Sequence, residues 1–320
     1  NSEVERAKTD ILKSLENAYN DRENQKNRNL VREYVRHFLS QEVIPGVEWE
    51  YQTFQAMMPH LTLEVINQAA KSYVTDENLI VSFMAPDKPT VLIPSNEVIL
   101  ETINEVKSVE LTAKAEENLN KPLIEKAPKA GKIKKSERNE VLGTTEWILS
   151  NGIKVIFKTT DFKKDEILLT AYSEGGLSKM KNSQDLISGA LAASVVSNNG
   201  LGEFSLIELN KMLTGKIASV SPSIGNYDEG FTGKSSVADF ETMMQLINLY
   251  FTAPRKDDNA YGALVNIYKT TLANNASDPR RAFSDSVTVM INDHHERTVL
   301  LNLKTLERLD QDKALSFFKE

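Results

Sequence analysis

An α+β fold, with antiparallel sheet packed against helices, follows from three observations on one stretch of the chain. Ile153, Val155 and Phe157 alternate with Lys154 and Lys158, the period-2 pattern of a half-buried strand. A second apolar run, Ile167 to Tyr172, ends at Gly175-Gly176, where the chain must turn sharply. A helical pattern follows from about Asp185. A strand, a turn, a second strand completing a hairpin, a Gly-Gly and a helix open an α+β domain, so a domain begins near residue 140.

The bulk numbers fit that reading. The 320 residues are enough for two domains, and 40% hydrophobic with 26% charged residues is ordinary globular composition. The net charge of −7 argues against a general nucleic-acid binder. No apolar run reaches the roughly 20 residues of a membrane helix. The sequence has no Cys, which excludes disulfides and thiolate zinc sites and is compatible with an exported bacterial protein. It does not begin with Met and is expected to be a piece of a longer or processed protein.

In chain order, Val4, Ala7, Ile11, Leu12, Leu15 and Ala18 give a helix with a thin apolar stripe, which the polar tract NDRENQKNRN either breaks or extends. Leu30, Val31, Tyr34, Val35, Phe38 and Leu39 mark an amphipathic helix ended by Ile44-Pro45-Gly46. WEYQTFQAMM reads as a short helix stopped by Pro59, and Thr62 as the N-cap of the next. NLIVSFMAP reads as a buried strand closed by Pro86. Pro94 to Leu119 is helical and acidic. KPLIEKAPKAGKIKKSER, with two Pro, one Gly and five net positive charges, has linker composition rather than a nucleic-acid platform, since it holds no aromatic residue.

Farther on, Leu186, Ile187, Ala190, Leu191 and Val195 share a helical face ended by Asn198-Asn199-Gly200. Ser205-x-x-Glu208 is a capping box. KIASVSPSIG and YDEGFTGKSS read as antiparallel strands joined by Gly225-Asn226. Ser236-x-x-Asp239 caps a helix placing Phe240, Met243, Met244, Ile247 and Tyr250 toward the core. Helices are expected over 257–275 and 279–291, the second started by Asp278-Pro279, with a last helix running from about Leu303 to Glu320.

The segment LSNGIKVIFKTTDFKKDEILLTAYSEGGLS resembles the opening of a repeat unit in the pitrilysin/insulinase zinc peptidases (inverzincins), whose units have the mitochondrial-processing-peptidase-like fold. NLVREYVRHFLSQEVIPGVEWEYQ and VTDENLIVSFMAPDK resemble the close of the second unit in that family. The resemblance implies residues 1–105 as the closing part of a second α+β unit, 106–139 as a linker and 140–320 as a third unit. It also implies a peptidase whose halves close around a peptide or unfolded polypeptide. The partner is then the remaining half of the same protein or a homologous subunit; the compartment is not set by the resemblance, and the absence of Cys favours the bacterial periplasm or cell envelope.

Catalysis in that family needs H-x-x-E-H on a helix, two His one turn apart binding zinc and a Glu acting as base. The His here are His37, His60, His294 and His295, and none forms that motif or its reverse. In the matching helix, QDLISGALAASVVSNNG, the resemblance places the ligand and base positions near Leu191, Ser194 and Val195, which cannot hold a metal. No catalytic, cofactor-binding or metal residue is therefore assigned, and zinc is expected only in the full-length protein. His294-His295-Glu296 is the one tempting cluster, but neighbouring residues point about 100° apart and rarely share a metal. A polar loop with one hydrogen-bonded His is the expectation there, and His37 and His60 are read as structural. Glu116-Glu117 and Asp257-Asp258 read as solvated surface.

Overall fold

A computed structural model describes residues 2–73, 75, 77, 79–85, 90–110, 121–295 and 297–320. The chain divides into two compact units, one of residues 1–58 with 121–320 and one of residues 59–120.

The first unit begins with α1 (Ser2–Asn20), α2 (Asn27–Ser40) and α3 (Val47–Met57). The polar tract does break the first helix, which stops at Asn20. α2 ends one turn before Ile44-Pro45-Gly46, at Gln41, in the left-handed region with φ 58°. α1 and α3 meet through Tyr19 and Tyr51, stacked at 5.4 Å. α1 is also tied to the later chain: Asp10 Oδ1 accepts the Gly215 N–H at 2.6 Å, and Asp21 pairs with Lys163 at 3.5 Å.

In the second unit, α4 (Leu63–Tyr73) starts as expected, its Val65 N–H donating to Thr62 Oγ1 at 3.3 Å, and α5 (Asn96–Ser108) is capped by Ser95. The strand expected at NLIVSFMAP is not formed. Leu79–Ala85 has no strand pairing, and Ile80 and Met84 are each 90% exposed. The reason is topological. A strand needs a neighbour for its N–H and C=O groups, and among the described residues of this unit there is no other strand. Pro86, residues 111–120 (Glu116-Glu117 with them) and Glu296 lie outside the described residues.

The later part of the first unit carries two sheets. β1 (Ile133–Asn139), β2 (Thr144–Leu149) and β3 (Lys154–Phe157) form an antiparallel meander in that order. β1 therefore lies inside the stretch whose composition reads as connector. Its sequence, IKKSERN, has one apolar residue and is exposed throughout, so it carries no alternating pattern. β4 (Ile167–Glu174) does not complete a hairpin with β3, as the sequence suggests. β3 pairs with β2 across the Asn151-Gly152 turn, where Asn151 Oδ1 accepts the Ile153 N–H, and β4 joins a second sheet.

α6 (Leu186–Ala190), α7 (Ala192–Asn199) and α8 (Leu206–Met212) follow, then β5 (Ala218–Ile224) and β6 (Asp228–Ser235). The second sheet has the order β4-β6-β5, all antiparallel, with Ala171 opposite Phe231 and Phe231 opposite Pro222. The Ser205–Glu208 capping box is present in both directions.

α9 (Phe240–Thr252) lies on this sheet with a core face that keeps the expected Met243 and Tyr250 but not Phe240 and Met244. Met243, Leu246, Leu249 and Tyr250 are buried, whereas Phe240 and Met244 are each 41% exposed. α10 (Asp258–Asn275), α11 (Pro279–Ile291), α12 (Leu303–Leu306) and α13 (Gln311–Lys319) complete the unit. Asp278 accepts from the Arg280 N–H, with Pro279 at the first helical position. The single last helix read from the sequence is two, separated at Asp310, whose carboxylate caps α13.

Two apolar clusters build the core. One joins Val196, Leu201, Phe204, Leu209 and Phe231 to Leu246, Leu249, Tyr250 and Leu315. The other joins Ile187, Leu191, Ala192 and Val195 to Leu264, Leu306, Leu309 and Ala314. α7 and α13 each contribute to both clusters and so join them.

Candidate functional site

The α6–α7 segment is where the sequence resemblance looks for metal chemistry. It is not one continuous helix: Leu191, at φ −100° and ψ 3°, separates α6 from α7. Leu191 is 9% exposed and Val195 fully buried, both within the apolar cluster with Leu264, Leu306 and Leu309. Ser194 is half-buried, and its carbonyl accepts from Asn198 Nδ2 at 2.9 Å. These three side chains offer two hydrocarbons and one hydroxyl. Zinc asks for imidazole, thiolate or carboxylate, so the residues present do not fit the ion.

The polar groups around this segment serve structure. Ser188 Oγ accepts the Asp310 N–H at 3.0 Å, joining α6 to the start of α13. Asn199 is fully buried and donates to the Arg255 carbonyl at 3.1 Å. The Tyr250 hydroxyl sits 3.4 Å from Ser197 Oγ, and burial raises its pKa despite that contact.

His294 and His295 lie in the loop after α11, where Asp293 and His294 take φ of 47° and 51°. His295 Nδ1 accepts the Arg297 N–H at 3.2 Å, the single hydrogen-bonded His expected of a polar loop. Arg297 then holds the Leu177 and Met180 carbonyls, at 3.0 and 3.3 Å. His37 Nδ1 is 2.6 Å from the Glu42 carbonyl oxygen, beyond the end of α2, and His60 is exposed in a 3-10 turn. His37, His60 and the adjacent His294-His295 pair thus lie on three separate elements. Among the described residues no group of three or more His, Asp or Glu is placed to hold a metal ion.

One ionisable arrangement does stand out. At the end of β4, Glu229 accepts the Gly176 N–H at 2.7 Å and the Lys179 ammonium at 2.7 Å. Burial works to raise this carboxyl, but the Lys179 and Gly176 hydrogen bonds outweigh it and leave the pKa below the ordinary value. The effect is to clamp the Gly-Gly turn against the β5–β6 turn, where the Gly225 carbonyl also accepts the Leu177 N–H at 2.9 Å. The residues around this turn position backbone and leave no group aimed at a ligand. No signal for this clamp was available in the sequence, because Glu229 lies 53 residues from the turn it holds.

No family profile matches the chain. The chain is similar to the zinc protease PQQL-like of Arabidopsis thaliana, with 24% identity over 310 residues, covering 96% of this chain and 30% of the relative. It is similar to the probable zinc protease PqqL of Haemophilus influenzae, with 33% identity over 104 residues, covering 32% of this chain and 11% of the relative. Among solved structures it shares the fold of the periplasmic protease PqqL from Escherichia coli, at TM-score 0.55 and 20% identity over 99% of this chain and 35% of that one. It also shares the fold of a variant of the ferredoxin protease FusC in complex with Arabidopsis ferredoxin, at TM-score 0.54 and 16% identity over 99% of this chain and 37% of that one. The mixed helix and sheet architecture matches these neighbours. The chain is similar to the PqqL-like zinc proteases over nearly its whole length and spans about a third of theirs.

Proposed function

We propose that this chain is the non-catalytic part of a zinc-dependent peptidase, supplying chamber wall and holding the peptide, with the zinc and its chemistry in another part of the full protein. The observation that carries the reading is the packing of Leu191 and Val195. At the position that the sequence resemblance sets against the family's zinc helix, the side chains close an apolar core and offer no ligand atom. In this reading residues 1–105 close a second repeat unit, residues 106–139 link, and residues 140–320 form a third. The partners are a peptide or unfolded polypeptide and the remaining half of the protein, or a homologous subunit. The periplasmic setting of the Escherichia coli neighbour supports an envelope compartment.

The test is direct. The chain is dialysed against zinc, analysed for bound metal, and incubated with casein. No stoichiometric zinc and no cleavage are expected, and one tightly held zinc per chain overturns the assignment. The full-length sequence supplies the complementary check. An H-x-x-E-H motif outside this segment supports the peptidase, and its absence makes the whole protein an inactive partner subunit.

A further inference from the structure

The meander β1–β2–β3 contains no buried residue, yet it carries a dense set of apolar side chains. Ile153, Ile156 and Phe157 are exposed, and Trp147 meets Phe157 edge-on at 4.5 Å. A three-stranded sheet of this size is stable mainly when something fills one of its faces. Its charge is also unlike that of the chain. Residues 132–158 hold six cations and three carboxylates, in a protein of net charge −7. Lys135, Arg138 and Lys154 pair with Glu137, Glu140 and Glu146, which leaves Lys132, Lys134 and Lys158 without an ion-pair partner among the described residues.

The backbone shows which edge is open. The Leu149 N–H donates to the Ile153 carbonyl at 2.8 Å, and Trp147 pairs with Val155 and Thr145 with Phe157. In an antiparallel ladder the residues whose groups face the partner alternate with those facing away. Val155 and Phe157 therefore bond β2, while the N–H and C=O groups of Lys154 and Ile156 point outward. Among the described residues no strand pairs with that edge. The side chains of Lys154, Ile156 and Lys158 share one face by the two-residue period, so the open edge presents cation, hydrocarbon, cation, with Lys154 paired to Glu146 behind the edge and Lys158 unpaired among the described residues.

We propose that the outer edge of β3 takes an extended acidic polypeptide by strand addition. The ligand's backbone pairs with Lys154 and Ile156. Its carboxylates lie beside Lys154 and Lys158, with an apolar residue between them over Ile156. Its alternate side chains lie against Phe157 and Trp147. A polypeptide fits better than a nucleic acid because outward amides and carbonyls are matched one for one by another backbone, whereas phosphates would use only the cations. This deepens the substrate-holding part of the proposed function and rests on it only in calling the ligand a substrate.

The experiment titrates the whole chain with a fluorescent peptide of about nine residues, Glu-Tyr-Val-Tyr-Glu-Tyr-Val-Tyr-Glu, and with its Lys-for-Glu counterpart. Anisotropy should show the acidic peptide bound at least tenfold more tightly, with Lys158→Glu weakening it fivefold or more. Hydrogen exchange should show new protection at the Ile156 amide and none at the Val155 and Phe157 amides, which β2 already holds. Equal binding of the two peptides, unchanged exchange at Ile156, or displacement of the acidic peptide by single-stranded DNA at comparable concentration would each overturn the proposal. These outcomes are read without zinc or cleavage, so they are separable from the fate of the peptidase assignment.

Discussion

Ser236 and Asp239 close a ring at the head of α9. The Ser236 hydroxyl donates to Asp239 Oδ2 at 2.8 Å, and the Asp239 N–H donates back to Ser236 Oγ at 3.0 Å. The same carboxylate accepts the Ile217 N–H at 2.9 Å, tying the helix to the start of β5. Asp239 is only 6% exposed and Ser236 is fully buried. Asp239→Ala leaves two buried donors without a partner, so it should cost about 2–4 kcal/mol in urea unfolding.

The same ring gives a pH dependence. Burial acts to raise the Asp239 carboxyl, but the Ile217 and Ser236 hydrogen bonds and nearby Lys216 leave it below its ordinary 3.8. A carboxyl depressed in the folded state stabilises the protein above the unfolded pKa and loses that contribution as pH falls through the folded one. Stability should therefore drop as pH goes below about 3.8. Unfolding curves of Asp239→Asn across that window should be flatter than those of the unaltered protein.

Gly176 and Gly152 make a matched pair. Both have positive φ, 56° and 89°, but a Cβ on Gly176 would lie 2.3 Å from the Gly225 carbonyl oxygen, whereas one on Gly152 meets nothing within 4 Å. Gly152→Ala should cost only the left-handed backbone penalty, about 1–2 kcal/mol. Gly176→Ala adds a clash with rigid backbone and should cost clearly more, read as the larger fall in melting temperature.

Leu191→Ala opens a void in the cluster that includes Leu264 and Leu306, and should cost about 2–5 kcal/mol. Because this position is held by packing, a chelator should leave the melting temperatures of the unaltered chain and the variant unchanged. A fall on adding chelator would contradict the packing account.

Amide exchange should divide the two sheets. β1 is exposed along its whole length, whereas β6 carries the buried Phe231 and Ser235 and is paired on both sides. Amides of β1 should exchange at least tenfold faster than those of β6, measured by mass spectrometry with peptide-level resolution.

What the sequence made legible was local chemistry. Ser205-x-x-Glu208 and Asp278-Pro279 announce helix starts, and both caps are present where the residues stand. Asn151-Gly152 marks a turn correctly, but it cannot say which strand lies on the other side, and that partner is Thr144–Leu149 rather than Ile167–Tyr172. β1 has no sequence signature because an edge strand exposed on both faces needs no hydrophobic alternation. On α9 the sequence places Met243 and Tyr250 correctly, but Phe240 and Met244 are as apolar as Leu246 and Leu249, and only tertiary packing decides between them. At the candidate site, what could be read was that Leu191, Ser194 and Val195 lack ligand atoms. That they close a core could not be read, since Leu264 and Leu306 come from far along the chain.

The unpaired run Leu79–Ala85 has a practical consequence. Leu-Ile-Val-Ser-Phe-Met is six residues without charge, proline or glycine, exposed and outside any helix or strand. That composition nucleates cross-β stacking. Handled alone at high concentration, this polypeptide should precipitate or bind thioflavin through those six residues, and a single Ile80→Lys should keep it in solution.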